Sequence, residues 1–563
     1  EYAWDDDGPV EEDKCVRNNG TRDLIGRNKV TIINRDYNCG NEHLTLEDFS
    51  IDASLLNTLE LTDEGEVMYD ENGDIVYNHR PMVTISLASV YEAKLQRLYI
   101  KDAPQDAIFF RNGGNSSAVR DCVIDGFNRQ WYNGAAINME MQPNGRLDLG
   151  LDDPENDDEV SNLEIANNVI IARGPMTFCD SDGAGRACSS DSDCDDGVHC
   201  VSSRSRVQVD LINLNVTKKY VKEIGQKAGH HHVPNPTIVG NTLLSEAPYM
   251  DGIVCIGCED TTIQDNCISS FLPGVNHSGF AEEWCAACMD NLEADVGCDV
   301  SPMGPTTDSA TIGGIDVIAL DLKALNEDFY TQFYSDFDDI KINRNIIAGG
   351  GDRAAIRVLD TSPENLSKDL WVTWNSIIGW RMLRDTGSMA DIDVSGYNAV
   401  VIADNTLIGR CSPAHVGACA WEDEFGIRAQ HLKSVGTDVA IERNTLQHRT
   451  QRITGINPSD LPSAIGVRGF ESVAIRQNEL ACVSGSRGFQ IGTEDAMTLA
   501  WTGPGKFTEN EIINNFSCHP DVVAPPATLV AGCVSACEFT SSGNMSLGVT
   551  FDVPLECQKI CSP

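Results

Sequence analysis

Residues 340–347 read IKINRNII: alternating aliphatic and polar positions, then Asn345, then two more aliphatics. The phrase recurs as LEIANNVII around Asn168, TIVGNTLL around Asn241 and TIQDNCI around Asn266. It returns as VTWNSII with Asn375, VIADNTLI with Asn405, AIERNTL with Asn444 and AIRQNEL with Asn478. From Asn345 onward the steps are 30, 30, 39 and 34 residues. Repeats of this length mark stacked supersecondary units, each too small to bury its apolar face alone. Apolar–polar alternation is the period of a strand with one buried face. Asn at the end of each strand marks a bend, because its short amide tolerates unusual backbone angles and bonds to neighbouring backbone groups. If coils stack at strand spacing, about 4.8 Å, the asparagines lie above one another and form an amide ladder, as in cross-β stacks. The predicted fold is all-β: a parallel β-helix, or solenoid, with Cys-rich loop insertions and terminal caps.

These phrases resemble those of the right-handed parallel β-helix proteins, the superfamily that includes pectate lyases. The resemblance covers roughly residues 80 to 530. It implies a fold more than a function, since the same helix serves lyases, epimerases, adhesins and structural proteins.

The chain has 563 residues, with 41 Lys plus Arg against 85 Asp plus Glu, a net charge of −44. Such acidity excludes nucleic acid as a partner, because phosphate backbones select clustered positive charge. It argues equally against an anionic membrane surface. Calcium, basic proteins or a salty medium are the natural complements, and self-association would need screening or bridging cations. The 21 cysteines fit an oxidising compartment and a disulfide framework. Seven N-glycosylation sequons, at Asn19, Asn115, Asn215, Asn276, Asn365, Asn515 and Asn544, agree with a secreted glycoprotein carrying N-linked glycans. The chain starts at Glu1, and the expectation is that a signal segment has been removed. No run approaches the length of a membrane span. The expected location is extracellular or at the cell surface.

Three regions follow from the pattern. Residues 1–45 form an N-terminal arm and cap, 46–517 the β-helix, and 518–563 a Cys-rich C-terminal cap that includes Cys518, Cys533, Cys537, Cys557 and Cys561. Insertions are expected at about 175–235 and 272–312, where long excursions carry a solenoid's contacts. The arm begins EYAWDDDGPVEEDK, acidic apart from Tyr2 and Trp4. Either it folds back on its own helix, or Tyr2 and Trp4 dock into a neighbouring molecule.

The first insertion reads CDSDGAGRACSSDSDCDDGVHC, with Cys179, Cys188, Cys194 and Cys200 and six interleaved Asp. An oxidised loop of this kind is a small two-disulfide knot, and its carboxylates, Asp180, Asp182, Asp191 and Asp193 among them, suit calcium. The spacing is not that of an EF-hand. The segment is similar to the Cys-rich repeats of mastigoneme proteins, through the four cysteines, Gly183 and Gly185 before Cys188, and SSDSDC ending at Cys194. That similarity implies a subunit of an extracellular filament. A second cluster, Cys255-x-x-Cys258 with Cys285-x-x-Cys288 plus Cys267 and Cys298, has zinc-like spacing, but disulfides are the expectation in a secreted chain. His230, His231 and His232 have no acidic partner at ligand spacing and read as an exposed loop. The odd cysteine count leaves a thiol free or available for an intermolecular bond.

An enzyme on this fold would act on an acidic polysaccharide, with a cation or Arg at a uronate carboxylate and a base beside it. Arg357 (AAIRV), Arg428 (FGIRA) and Arg468 (IGVRG) are the candidates. In one reading they form a basic stripe on successive coils; in the other they are an outward ladder paired with Asp and Glu. Asp251, Glu259 and Asp260 are a further acidic group that either ligates calcium or faces solvent. The aromatic run Phe329, Tyr330, Phe333, Tyr334 and Phe337 is read as a short helix packing on its own body, or as a sugar platform or interface patch. The expected function is structural: a mastigoneme-like subunit of an extracellular filament or cell-surface assembly, polymerising with itself or with other extracellular glycoproteins. The alternatives are a polysaccharide lyase or epimerase, and a non-catalytic glycan-binding adhesin.

Overall fold

The computed structural model describes residues 30–33, 42–63, 67–69, 76–77, 83–130, 134–141, 162–173, 177–179, 200–202, 209–216, 233–245, 250–270, 313–319, 337–348, 354–360, 367–378, 390–410, 425–431, 436–449, 463–481, 487–491, 509–513, 516–517, 529–531, 539–542, 545–546 and 549–550. Two two-stranded pairings stand apart, and most strands form three sheets of 13, 13 and 14 strands, here called A, B and C. In each, a strand pairs in parallel with its counterpart one coil away, as Ile315 opposite Ile356 in sheet A, Ile342 opposite Val372 in sheet B and Ile347 opposite Ile377 in sheet C. This is a three-sided parallel β-helix. The exception is the last strand of sheet C, Val549–Thr550, which turns back antiparallel onto Met545–Ser546.

The alternation read from the sequence gives each sheet one inward column. In sheet A it runs Ile212, Ile253, Ile315, Ile356, Ile392 and Ile427, all fully buried. Each such side chain contributes about 1.5–3 kcal/mol through burial. Stacking identical branched residues at one strand spacing sets each against a side chain of the same shape. At the N-terminal coil the inward residues Ile32, Leu44, Leu46, Phe49 and Ile51 are only partly buried against this core.

Sheets B and C are joined in every coil by two residues. Among the described residues the first has a positive φ throughout: Asp48, Arg97, Asp121, Asn167, Gly240, Asp265, Arg344, Trp374, Asp404, Arg443 and Gln477 in turn. The second carries the ladder. From Asn168 to Asn478 each asparagine is buried, and from Asn241 onward its Oδ1 accepts from both the backbone N–H and the Nδ2 of the asparagine before it. Nδ2 also donates to a backbone carbonyl of the preceding coil, as Asn375 does to Ile342 at 2.9 Å. The ladder starts on Cys122, whose N–H donates to Asn168 Oδ1 at 2.9 Å. In the coils before that, Leu98 and Phe49 take the position.

Strands reach past both ends of the expected 46–517 span. Val30–Ile33 and Leu529–Ala531 belong to sheet A, Phe539–Ser542 to sheet B and Met545–Ser546 to sheet C. The expected excursion 175–235 is two connections, because Val209–Val216 returns to sheet A inside it. Within the first of these, Thr177–Cys179 pairs antiparallel with Cys200–Ser202, and Cys179 stands opposite Cys200. Cys255 and Cys258 are joined in a disulfide, and Cys267 is disulfide-bonded as well. Phe337 is buried, while the rest of its aromatic run lies outside the described residues. No helix among the described residues is long and apolar enough to cross a membrane.

Candidate functional site

Loop length singles out one side of the helix. The B-to-C corner admits no insertion, since the ladder needs the same two residues in every coil. The long connections fall at the other two corners: 53–82, 173–208 and 271–312 lead from sheet C into sheet A, and 142–163, 217–236, 320–339 and 492–508 lead out of it. Sheet A is therefore the face flanked by excursions on both edges.

On that face, residues between the inward aliphatics point outward and form a column in register: Asn138, Asn213, Val254, Asp316, Arg357, Asp393, Arg428 and Gly466. Arg357 donates from Nε to Asp316 Oδ1 at 2.8 Å and from Nη2 to the other carboxylate oxygen. Arg428 grips Asp393 in the same bidentate way, at 2.9 and 2.6 Å. Asp316 and Asp393 are almost fully buried, although they face outward. Burial opposes the charge on Arg357, but the Asp316 carboxylate, with Asp251 and Asp393 further off, holds its guanidinium above the ordinary range. The column is thus a ladder of alternating sign, not a basic stripe. Bidentate pairing of guanidinium and carboxylate is the strongest form of such contacts.

Arg468 does not join the column. It stands opposite Gln430, two positions along the strand, and Gly466 takes the place opposite Arg428. Aligning by arginine misleads here: Ile465 aligns with Ile427, which puts the glycine in register. Asp316 and Asp393 escaped the sequence reading although the signal was present. The phrases IDV, IRV, IDV and IRA place Asp316, Arg357, Asp393 and Arg428 at one phase relative to isoleucine.

Toward the N-terminal coils the same face is rich in amides and carboxylates. Asp106 accepts from Ala135 N–H at 2.7 Å and from Asn138 Nδ2 at 3.2 Å. Asp210 stands opposite Asp251, which is fully buried. Glu259 and Asp260 do not share that position; they lie on the far side of Gly257, in and after the short strand Cys258–Glu259. Burial, with Asp339 and Asp338 nearby, raises the pKa of Asp260, and Lys341 opposes the rise. Among the described residues no three of His, Cys, Asp and Glu gather closely enough to hold a metal ion.

At the corner leading into sheet A, Asp391 stands opposite Ala355 and Gly426 in the neighbouring coils. It is fully enclosed, and burial pushes its carboxyl up to about 8. At the corner leaving sheet A, His431 Nε2 lies 2.9 Å from the Tyr397 carbonyl and packs edge-on against Phe470. Burial lowers the His431 pKa, against the opposing effects of Tyr397 and Asp360. Burial likewise raises that of Tyr397.

Of the sequons, Asn215 is half-buried on the outer face of sheet A, opposite Ile256, and Asn115 ends the strand Ile108–Asn115. Outside the described residues lie Tyr2, Trp4, Asn19, Asn276, Asn365, Asn515 and Asn544, the carboxylates Asp180, Asp182, Asp191 and Asp193, and the three histidines at 230–232. So do Cys188, Cys194, Cys285, Cys288, Cys298, Cys518, Cys533, Cys537, Cys557 and Cys561. No protein-family model, characterised protein or solved structure matches this sequence.

Proposed function

We propose that the chain is a rigid structural rod, a subunit of an extracellular filament or cell-surface assembly, with its contacts made by the connections flanking sheet A and by the terminal segments. The observation that carries this reading is the outer column of sheet A. Its arginines are spent on the rod's own carboxylates, where a lyase would need a cation held ready for a uronate. Three continuous sheets and an eight-asparagine ladder favour a stiff body over a hinged one. Thirteen coils at about 4.8 Å make a rod of roughly 60 Å. Rods joined by contacts that do not close on themselves grow into filaments. Calcium bridging between acidic rods, and secretion with N-linked glycans, belong to the same proposal.

Negative-stain electron microscopy of the native material beside a form spanning residues 15–563 tests it. Long filaments in the first and isolated rods in the second are expected. Isolated rods in both would end the filament reading.

One observation favours a second reading: Asp251, Asp316 and Asp393 are buried carboxylates on the one face flanked by long connections. Buried ionisable groups recur at functional sites. Appearance of unsaturated uronate from alginate or pectin, with and without calcium, would establish it.

A further inference from the structure

The two-residue corners between sheets B and C line up as a ridge along the whole helix, and one position breaks its pattern. Among the described residues the first corner residue sits in the left-handed region throughout, which suits Gly, Asn and Asp and penalises bulky side chains. The described occupants are short polar residues, Gly, Arg and Gln, with one aromatic: Trp374, at φ 59° and 62% exposed. A large apolar side chain on left-handed backbone, with most of its surface held out into water, is a costly arrangement, and strain of this kind concentrates at functional positions. Three residues earlier, Trp371 faces outward from sheet B, with Lys341 Nζ 5.4 Å from its ring centre. In the following coil Trp371 and Thr373 stand opposite the smaller Val401 and Ala403, of which Ala403 is itself almost fully covered.

The ridge on either side of Trp374 is polar. One coil before it, Arg344 grips Asp265 at 2.7 and 2.9 Å; one coil after it, Asp404 is gripped by Arg443 at 2.8 and 2.9 Å. An aromatic plate between two sets of donors and acceptors, on coils that repeat at about 4.8 Å, suits a ligand with apolar ring faces and a hydroxyl-rich rim at a similar repeat. A linear polysaccharide has that chemistry, each pyranose being about one coil long. The charge of −44 repels polyanions, which selects a neutral glycan.

We propose that the Trp374 ridge is a binding site for a neutral linear glycan, with sugar rings stacked on Trp374 and hydroxyls bonded to the Asp265–Arg344 and Asp404–Arg443 pairs. The site lies at the corner opposite sheet A and does not depend on the filament reading.

The test uses the full chain and its Trp374→Gly variant on an array of β-glucan, mannan, alginate and pectin oligosaccharides, with melting temperature and sedimentation measured beside it. Gly is at home in the left-handed region and occupies the equivalent corner at position 240, so the variant should melt close to the wild-type temperature. Retention of the wild type on a neutral series, with about tenfold or greater weakening in the variant, is expected. No binding of the wild type to any neutral glycan, or equal binding of the two proteins, overturns the proposal. Loss of self-association in the variant without loss of glycan retention overturns it in favour of a protein interface.

Discussion

Two residues carry most of the chemistry at the smallest scale. Asn375 sits mid-ladder, accepting from Asn345 N–H and Nδ2 and donating to Ile342 O and Asn405 Oδ1. Asn375→Ala strands several buried groups at once, and each buried polar atom left unsatisfied costs about 1–3 kcal/mol. A loss of about 3 kcal/mol or more in urea denaturation is expected. A loss under about 1 kcal/mol would mean that the ladder is incidental. Asp391 is the second. Its folded-state pKa, about 8, lies above the ordinary value of 3.8, so the folded chain binds the extra proton. Stability from this group is complete below about pH 4 and falls as pH rises toward 8, by up to about 1.4 kcal/mol per unit. Asp391→Asn removes that slope, and melting temperatures of the two proteins from pH 4 to 8 should converge at the acid end and separate at the alkaline end.

At the scale of an element, the outer column of sheet A is a chain of coupled charges. Removing Arg357 leaves Asp316 buried without its bidentate partner, and breaking such a pair costs about 3–5 kcal/mol. Arg357→Met is therefore expected to destabilise strongly, whereas Arg357→Met combined with Asp316→Leu should recover most of the loss. A double-mutant cycle measures this directly; a double variant as unstable as the single one would mean that the pair does more than neutralise itself. The inward isoleucines and the ladder asparagines were legible in the sequence, because each is a local phase within one strand phrase. The pairing of Arg357 with Asp316 was not, because its partners lie 41 residues apart and meet only once the coil lengths are known. Arg468 is a different case: it lies three residues after Ile465, where Arg357 and Arg428 directly follow Ile356 and Ile427, so phase within the phrase alone puts it two positions along the strand.

At the scale of the molecule, a net charge of −44 on a stiff rod sets how copies meet. Repulsion between like-charged rods is screened with a Debye length of about 10 Å at 0.1 M salt and 3 Å at 1 M. Association is expected to strengthen with sodium chloride, and more steeply with calcium at equal ionic strength, in sedimentation velocity. Association that weakens with salt would point instead to contacts between opposite charges on the connections flanking sheet A.

The repeat and its asparagines determined the fold, because alternation, bend chemistry and coil period are local properties that one strand phrase carries whole. Composition likewise determined the overall charge. The tertiary structure alone decided which side of the helix bears the long connections, which arginines are spent on carboxylates, and that Trp374 stands exposed on left-handed backbone between two fixed ion pairs. Those facts depend on register between coils, and register is set by connection lengths that vary from two residues to more than forty. A strand phrase records which face a side chain takes; only the stack records what lies beside it.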